Sequence, residues 1–232
     1  MNKYVYVSFI KTNTPFGRLV RKVTGWKYSH VNICLDSKLH RFYAFGRASY
    51  KSNLLANFNV DYKSNYTLLK DIPVDITYYK IPVTKEEYDK IKDFIDDIQE
   101  DGEYIFNFLS MITTTILHGF EIYKSYNCIT FISKIFSFIS SIKLSKKYYK
   151  YDLNELEDEV KSFYYKQETY YYKKIEDNNK YFDDIPYFKV KKVGFLYLRE
   201  NFYRLIRKKT SKRYKKYVES IKSNNYVGDK NE

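Results

Sequence analysis

The chain has 232 residues and a mass of 28.2 kDa, enough for one sizeable core or one core plus an appendage, and short of two full domains. Apolar residues make up 44% and charged residues 30%, with only 7 glycines and 4 prolines, which excludes wholesale disorder and collagen-like or low-complexity classes. The 41 Lys and Arg against 28 Asp and Glu leave a net charge of +13 and a pI near 9.3, and two cysteines are too few for a disulfide framework. Tyr, Lys, Asn, Ile and Phe are all over-used and all have A/T-rich codons. Genome composition therefore accounts for the 28 tyrosines, and their number is no argument for stacking on bases.

The first residues show neither a long apolar core nor a small-residue cleavage site, so no signal peptide is expected. The greasiest stretch, Ile105 to Leu117, is interrupted by Asn107, Ser110 and three threonines. It falls short of the roughly 20 apolar residues a membrane span needs and reads as a buried helix. The expectation is a soluble chain that stays in a cytoplasmic or otherwise reducing compartment.

In chain order, Tyr4 to Ile10 alternates as a strand. Thr14-Pro15 opens a short helix carrying Phe16, Leu19, Val20 and Val23 on one face and stopping at Gly25. Ser29 to Leu35 and Leu39 to Phe45 read as two strands of a hairpin around a turn at 36–38. Residues 48–66 are irregular, and strand-like segments follow near Tyr66–Leu69 and Tyr78–Ile81. Thr84 and Glu87 form a capping box ahead of a helix striped with Tyr88, Ile91, Ile95 and Ile98. A second helix spans about Tyr104 to His118 and ends at Gly119, with His118 favourably placed at its C-terminus. A third begins at Asn127 or Cys128 and carries Ile132, Ile135, Phe136, Ile139 and Ile142. Residues 185–198 look strand-like. The pattern predicts an α+β domain, helices docked on a small antiparallel sheet, over residues 1–165, with a Tyr-rich and basic extension over 166–232.

Two residues can carry chemistry. His30 opens a strand within Tyr28-Ser29-His30-Val31, and Cys128 opens a helix within Asn127-Cys128-Ile129-Thr130-Phe131. A thiol at a helix N-terminus feels the positive end of the macrodipole, which favours thiolate. An imidazole within about 2.6–3.2 Å could take its proton and return it to a leaving group. The two lie 98 residues apart, so only the fold can join them.

The segments Phe16-Gly17-Arg18-Leu19, Tyr28-Ser29-His30-Val31 and Tyr43-Ala44-Phe45-Gly46-Arg47, followed by Asn127-Cys128-Ile129-Thr130-Phe131-Ile132, resemble the circularly permuted NlpC-type papain-fold family. That family includes YiiX-like bacterial proteins and lecithin–retinol acyltransferase. The resemblance is densest over residues 4–47 and 104–140. It implies a permuted papain-like domain in which the strand histidine precedes the nucleophilic cysteine. Cys128 would be the nucleophile, His30 the general base, and the Cys128 backbone N–H an oxyanion-hole donor. An acyl-thioester would form from a peptide-, amide- or lipid-like substrate, with no cofactor and no metal. Relatives usually carry Cys-Ser-Glu-Phe or Cys-Ser-Gly at the nucleophile, where this chain has Cys-Ile-Thr-Phe.

For a third member, a hairpin centred on 36–38 pairs positions summing to about 74 and puts His40 roughly 13 Å from His30. A one-residue slip would pair His30 with Tyr43, which could then orient the imidazole. Tyr43 or no orienter therefore ranks ahead of His40. Arg18, Arg47 and Asn127 are the candidate substrate-binding residues. Cys34 reads as core, and a zinc site from Cys34, His30, His40 and Cys128 lacks any supporting spacing. From Arg199 to Lys216 there are nine Lys and Arg and one Glu, with Phe202, Leu205 and Ile206 at helical spacing. This reads either as a solvated tail or as a contact to an anionic membrane or nucleic acid. The second function open to the chain is thus a non-catalytic binder of anionic surfaces.

Overall fold

The computed structural model describes residues 3–50, 55–68, 72–117, 119–172 and 187–228. Strand β1 (Lys3–Lys11) buries every residue from Val5 to Ile10, because helices and side chains cover both its faces. It lies inside a six-stranded antiparallel sheet ordered β4 (Ala56–Asp61), β3 (Phe42–Arg47), β2 (His30–Cys34), β1, β5 (Val74–Val83) and β8 (Tyr164–Tyr170). Two short strands, β6 (Ile105–Phe106) and β7 (Ser125–Tyr126), pair in parallel beside it. With eight α-helices among the described residues, the chain is a mixed α+β protein built on an antiparallel sheet.

The sheet has two unequal faces. On one, Val5, Val7, Phe9, Val31, Ile33 and Phe45 meet the helices α3 (Lys85–Asp101), α5 (Cys128–Phe136) and α6 (Leu153–Asp158) in the main core. On the other, Tyr6, Ile10, Cys34, Phe42, Ile76 and Tyr78 pack against Tyr66 of the single-turn α2 (Lys63–Tyr66). Helix α3 forms as its sequence predicts, with the Thr84–Glu87 capping box closed and Ile91, Ile95 and Ile98 buried. Helix α5 packs across β2 and β3. Its Phe131 is fully buried, with ring centroids of Phe45 at 5.6 Å, Phe58 at 5.7 Å and Phe94 at 6.0 Å.

Several expectations need correction. Strand β3 starts at Phe42 rather than Leu39, because Leu39 adopts φ +54 inside a longer turn. The β2–β3 register therefore pairs Ile33 with Tyr43, so paired positions sum to 76 rather than 74. In helix α1 (Pro15–Thr24), capped by Thr14 and Gly25 as expected, Phe16, Leu19 and Val23 of the expected apolar face are exposed. The first turn of the helix expected from Tyr104 is β6, and α4 runs Phe108–Leu117. His118 and residues 185–186 lie outside the described residues. From Tyr187 onward the segment expected as a strand is the helix α7 (Tyr187–Arg207), followed by α8 (Lys212–Gly228). Val190, Val193 and Leu196 suit a 3.6-residue period too, and packing of α7 against α4 decides between the two. The boundary expected between residues 165 and 166 falls inside β8, which pairs with β5.

Phe131 is the test of this packing. Phe131→Ala removes the centre of the aromatic cluster and should cost about 3–5 kcal/mol of unfolding free energy. Phe131→Leu, which keeps most of the volume, should cost clearly less. Urea titrations of the two variants make the comparison.

Candidate active site

Cys128 is the first residue of α5, and a closed capping box holds that end of the helix. Asn127 Oδ1 accepts from the Thr130 N–H at 2.9 Å, and Thr130 Oγ1 accepts from the Asn127 N–H at 2.9 Å. The backbone N–H groups of Cys128, Ile129 and Val31 turn toward the Cys128 sulfur and favour its thiolate, but burial outweighs them and pushes the thiol up to about 11. The lowered value expected from the helix dipole is therefore not what the site provides. A half-buried sulfur loses more hydration than three amide dipoles replace.

The Val31 amide matters for a second reason. It belongs to the peptide group that joins His30 to Val31, so the nucleophile candidate sits directly against the first residues of β2. The recorded β2–β3 pairing is at Ile33 and Tyr43; carried along the strands, it brings Gly46 opposite His30. A Cβ on Gly46 would lie 3.1 Å from His30 Cε1, so the glycine is what lets the imidazole lie flat across β3. The ring of Tyr66 stands 5.7 Å away on the same side. Burial pushes the His30 imidazole down to about 4, so at neutral pH it is uncharged.

Both residues line one cavity of about 400 Å³, a size ordinary for small-molecule sites. The cavity wraps the end of the sheet. Phe16, Leu19, Val20 and Val23 of α1 form one wall with Trp26, Met111 stands at another side, and Arg47, Asn127, Ser29, Asp61 and Tyr66 are among its polar contributors. Phe16, Leu19 and Val23 are thus a solvent-exposed apolar lip, which explains why α1 turns its apolar face outward.

Among the described residues no hydrogen bond joins His30 to Cys128, contrary to the short contact expected. The side chains of His30, Asn32 and Cys34 leave β2 on the Tyr66 side, whereas α5 packs on the opposite face with Val31 and Ile33. What the two share is the cavity that both line. Tyr43 does not orient His30: it lies across from Ile33, on the α5 face, stacked on Phe58 at 6.4 Å. His40 is exposed beside Tyr62, with ring centroids 5.1 Å apart, and does not line the cavity. Arg18 is exposed, and its Nη1 donates to the Asn13 carbonyl at 3.0 Å, so it serves α1 rather than the cavity. Arg47 and Asn127 do line it. Among the described residues no group of three or more His, Cys, Asp or Glu could hold a metal ion, and Cys34 is a buried core thiol bonded to Asp36.

A buried polar network under His30 escaped sequence reasoning. Asn32 Nδ2 donates to the Tyr66 hydroxyl at 2.6 Å, that hydroxyl reaches Asp61 Oδ2 at 3.4 Å, and Ser8 bonds the Asn32 amide oxygen. Tyr66 comes from a four-residue helix, too short to leave a periodic signal, although Asn32 within a strand otherwise rich in apolar residues was visible. No protein-family model, no curated protein and no solved structure matches this chain.

The His30 shift has a consequence for stability. The folded imidazole holds its proton only below about 4, whereas its ordinary value is 6.5, so the unfolded chain binds that proton more readily between those values. Folding stability is lost as pH falls through that window. His30→Gln removes this component, so its urea midpoint should fall less than that of the native chain between about pH 7 and pH 4.5.

Proposed function

We propose that the chain is a cysteine-dependent hydrolase or acyltransferase with a permuted papain-like arrangement, acting on an ester or amide that carries an apolar acyl group. What supports the reading is one observation: a thiol at a helix N-terminus and an uncharged imidazole share the wall of a single apolar cavity. The strand histidine precedes the helix cysteine in the chain, the order the resemblance implies. The apolar lip on α1 favours an acyl chain over a polar peptide as the group admitted.

In this reading neutral His30 accepts the Cys128 proton as the sulfur attacks the substrate carbonyl carbon. Thiol–imidazole chemistry of this kind starts from the uncharged pair, since burial disfavours the thiolate–imidazolium pair in the free protein. Substrate entry brings the two side chains into line around the sheet's end, as catalytic hydrogen bonds commonly tighten only once substrate is bound. The N–H groups of Cys128 and Ile129 stabilise the developing oxyanion. The carbon–oxygen or carbon–nitrogen bond then breaks, His30 returns its proton to the leaving group, and an acyl-thioester remains on Cys128. Water or an acceptor nucleophile, deprotonated by His30, releases the acyl group and restores the thiol. The chemistry needs a reduced Cys128, which a reducing compartment such as the cytoplasm supplies.

A second reading, an acyl-binding protein without turnover, is favoured by the raised thiol and by the lack of an orienting partner on His30 among the described residues. A series of nitrophenyl esters of increasing chain length separates the two. The enzyme reading expects kcat/KM to rise with chain length and an acyl adduct on Cys128 by mass spectrometry. Cys128→Ala and His30→Gln should each lower kcat/KM by about a hundredfold or more. The rate should climb as His30 loses its proton near pH 4 and stay level through neutrality. Saturable binding of long-chain esters with no turnover, and no loss in either variant, would establish the binder instead. Iodoacetamide adds a check on the thiols: Cys128 should alkylate slowly near neutral pH, yet before fully buried Cys34, whose thiol burial pushes up to about 12.

A further inference from the structure

Helix α7 carries more apolar surface than its own docking uses. Its inward face seats Tyr197 in the main core, with Val193 and Leu196 packed beside it, and is tied down by a buried polar network. Arg204 and Glu200 are buried and joined at 2.9 Å, Ser211 donates its N–H at 2.8 Å and its hydroxyl at 2.5 Å to Glu200, and Arg204 Nη1 donates to the Lys124 carbonyl at 2.9 Å. Asn201, also buried, donates to the Phe106 carbonyl at 3.0 Å. These bonds pin the α7–α8 hairpin to β6 and β7. The outward face carries a second apolar set: Phe195 is 70% exposed, Phe202 51% and Ile206 74%.

The spacing of these three residues places them, with Arg199, on one stripe of the helix about 16 Å long. Exposed cations border it: Lys192, Arg199, Arg207, Lys208 and Lys209. Among the described residues none of these five pairs with a carboxylate, and 9 of the chain's 41 Lys and Arg fall between residues 199 and 216 with a single Glu, itself buried. Of the apolar stripe expected in this segment, Phe202 and Ile206 face water, Leu205 is half-buried and Arg204 faces in.

We infer that the outward face of α7 is a membrane-docking surface for an anionic bilayer. Such a surface takes both halves of the pattern. Phe195, Phe202 and Ile206 enter the boundary between headgroups and acyl chains, and the flanking Lys and Arg stay at the level of the lipid phosphates and carboxylates. A nucleic acid would satisfy the cations and leave Ile206 in water, so the exposed aliphatic crest favours lipid. The inference is independent of the chemistry proposed at Cys128, because none of these residues lines the cavity.

The full chain is tested by co-sedimentation with vesicles of phosphatidylcholine alone and with about a third phosphatidylserine, at moderate salt. Binding to the anionic vesicles should be about tenfold or more tighter than to the neutral ones. Phe202→Ser combined with Ile206→Ser should weaken it at least about tenfold, and Arg207→Glu with Lys208→Glu should abolish the preference for phosphatidylserine. All four side chains are exposed, so thermal melts should match the native chain. Should a variant not fold, an environment-sensitive dye on Ile206→Cys in a Cys128→Ala background reads the same contact. Its emission should shift to the blue with anionic vesicles and not with neutral ones. No binding of the native chain to either vesicle, equal binding by the Phe202/Ile206 variant, or an unshifted dye would overturn the inference. So would tight binding to duplex DNA without vesicle binding, or a dimer that the Phe202/Ile206 variant dissolves in the absence of lipid.

Discussion

Seating Phe131 between Phe45, Phe58 and Phe94 is the contact on which the geometry of the site depends. That ring cluster holds α5 against β2 and β3, three residues from Cys128, and so determines where the helix N-terminus meets the sheet. With Ile132, Ile135 and Phe136 also buried, the helix has little freedom to slide or roll. The thiol is brought to the His30–Val31 peptide by core packing, and the capping box of Asn127 and Thr130 then orients the first turn.

The electrostatics of the pair follow from the same packing. A helix N-terminus and backbone amides favour thiolate, but they act on a sulfur that has lost most of its water, and desolvation is the larger effect. His30 answers to the same cause with the opposite sign, since burial favours its neutral form. The free site therefore holds a protonated thiol and a neutral base.

The two outward-facing apolar surfaces are best understood through what each inner face already binds. On α1 the apolar lip borders the cavity, and Arg21 is tied back to the Thr12 carbonyl. On α7 the inner face is occupied by Tyr197, Val193 and the Glu200–Arg204–Ser211 network, and Phe195, Phe202 and Ile206 remain outside. A buried ion pair of this kind, tied both within the hairpin and to the Lys124 carbonyl, specifies orientation more than it adds stability.

Much of the fold was legible in residues whose signals are local. Thr14, Thr84 and Asn127 cap their helices through bonds to amides two or three positions on, and Ile91, Ile95 and Ile98 repeat at helical spacing, so each could be read without knowing the rest of the chain. Cys128 at a helix start and His30 at a strand start were legible for the same reason. The register of β2 with β3 was not, because one left-handed residue in the turn, Leu39, moved every pairing by two positions and put Gly46, rather than Ala44 or Tyr43, opposite His30. The choice of helix for α7 and the orientation of its faces were also tertiary decisions: hydrophobic period gives an apolar stripe but not which side a neighbour will cover. The amino-acid sequence by itself determined the capped elements, their apolar stripes and the two candidate reactive residues. Only long-range packing decided which face each stripe turned to and that thiol and imidazole line one cavity, because those depend on contacts among residues many tens of positions apart.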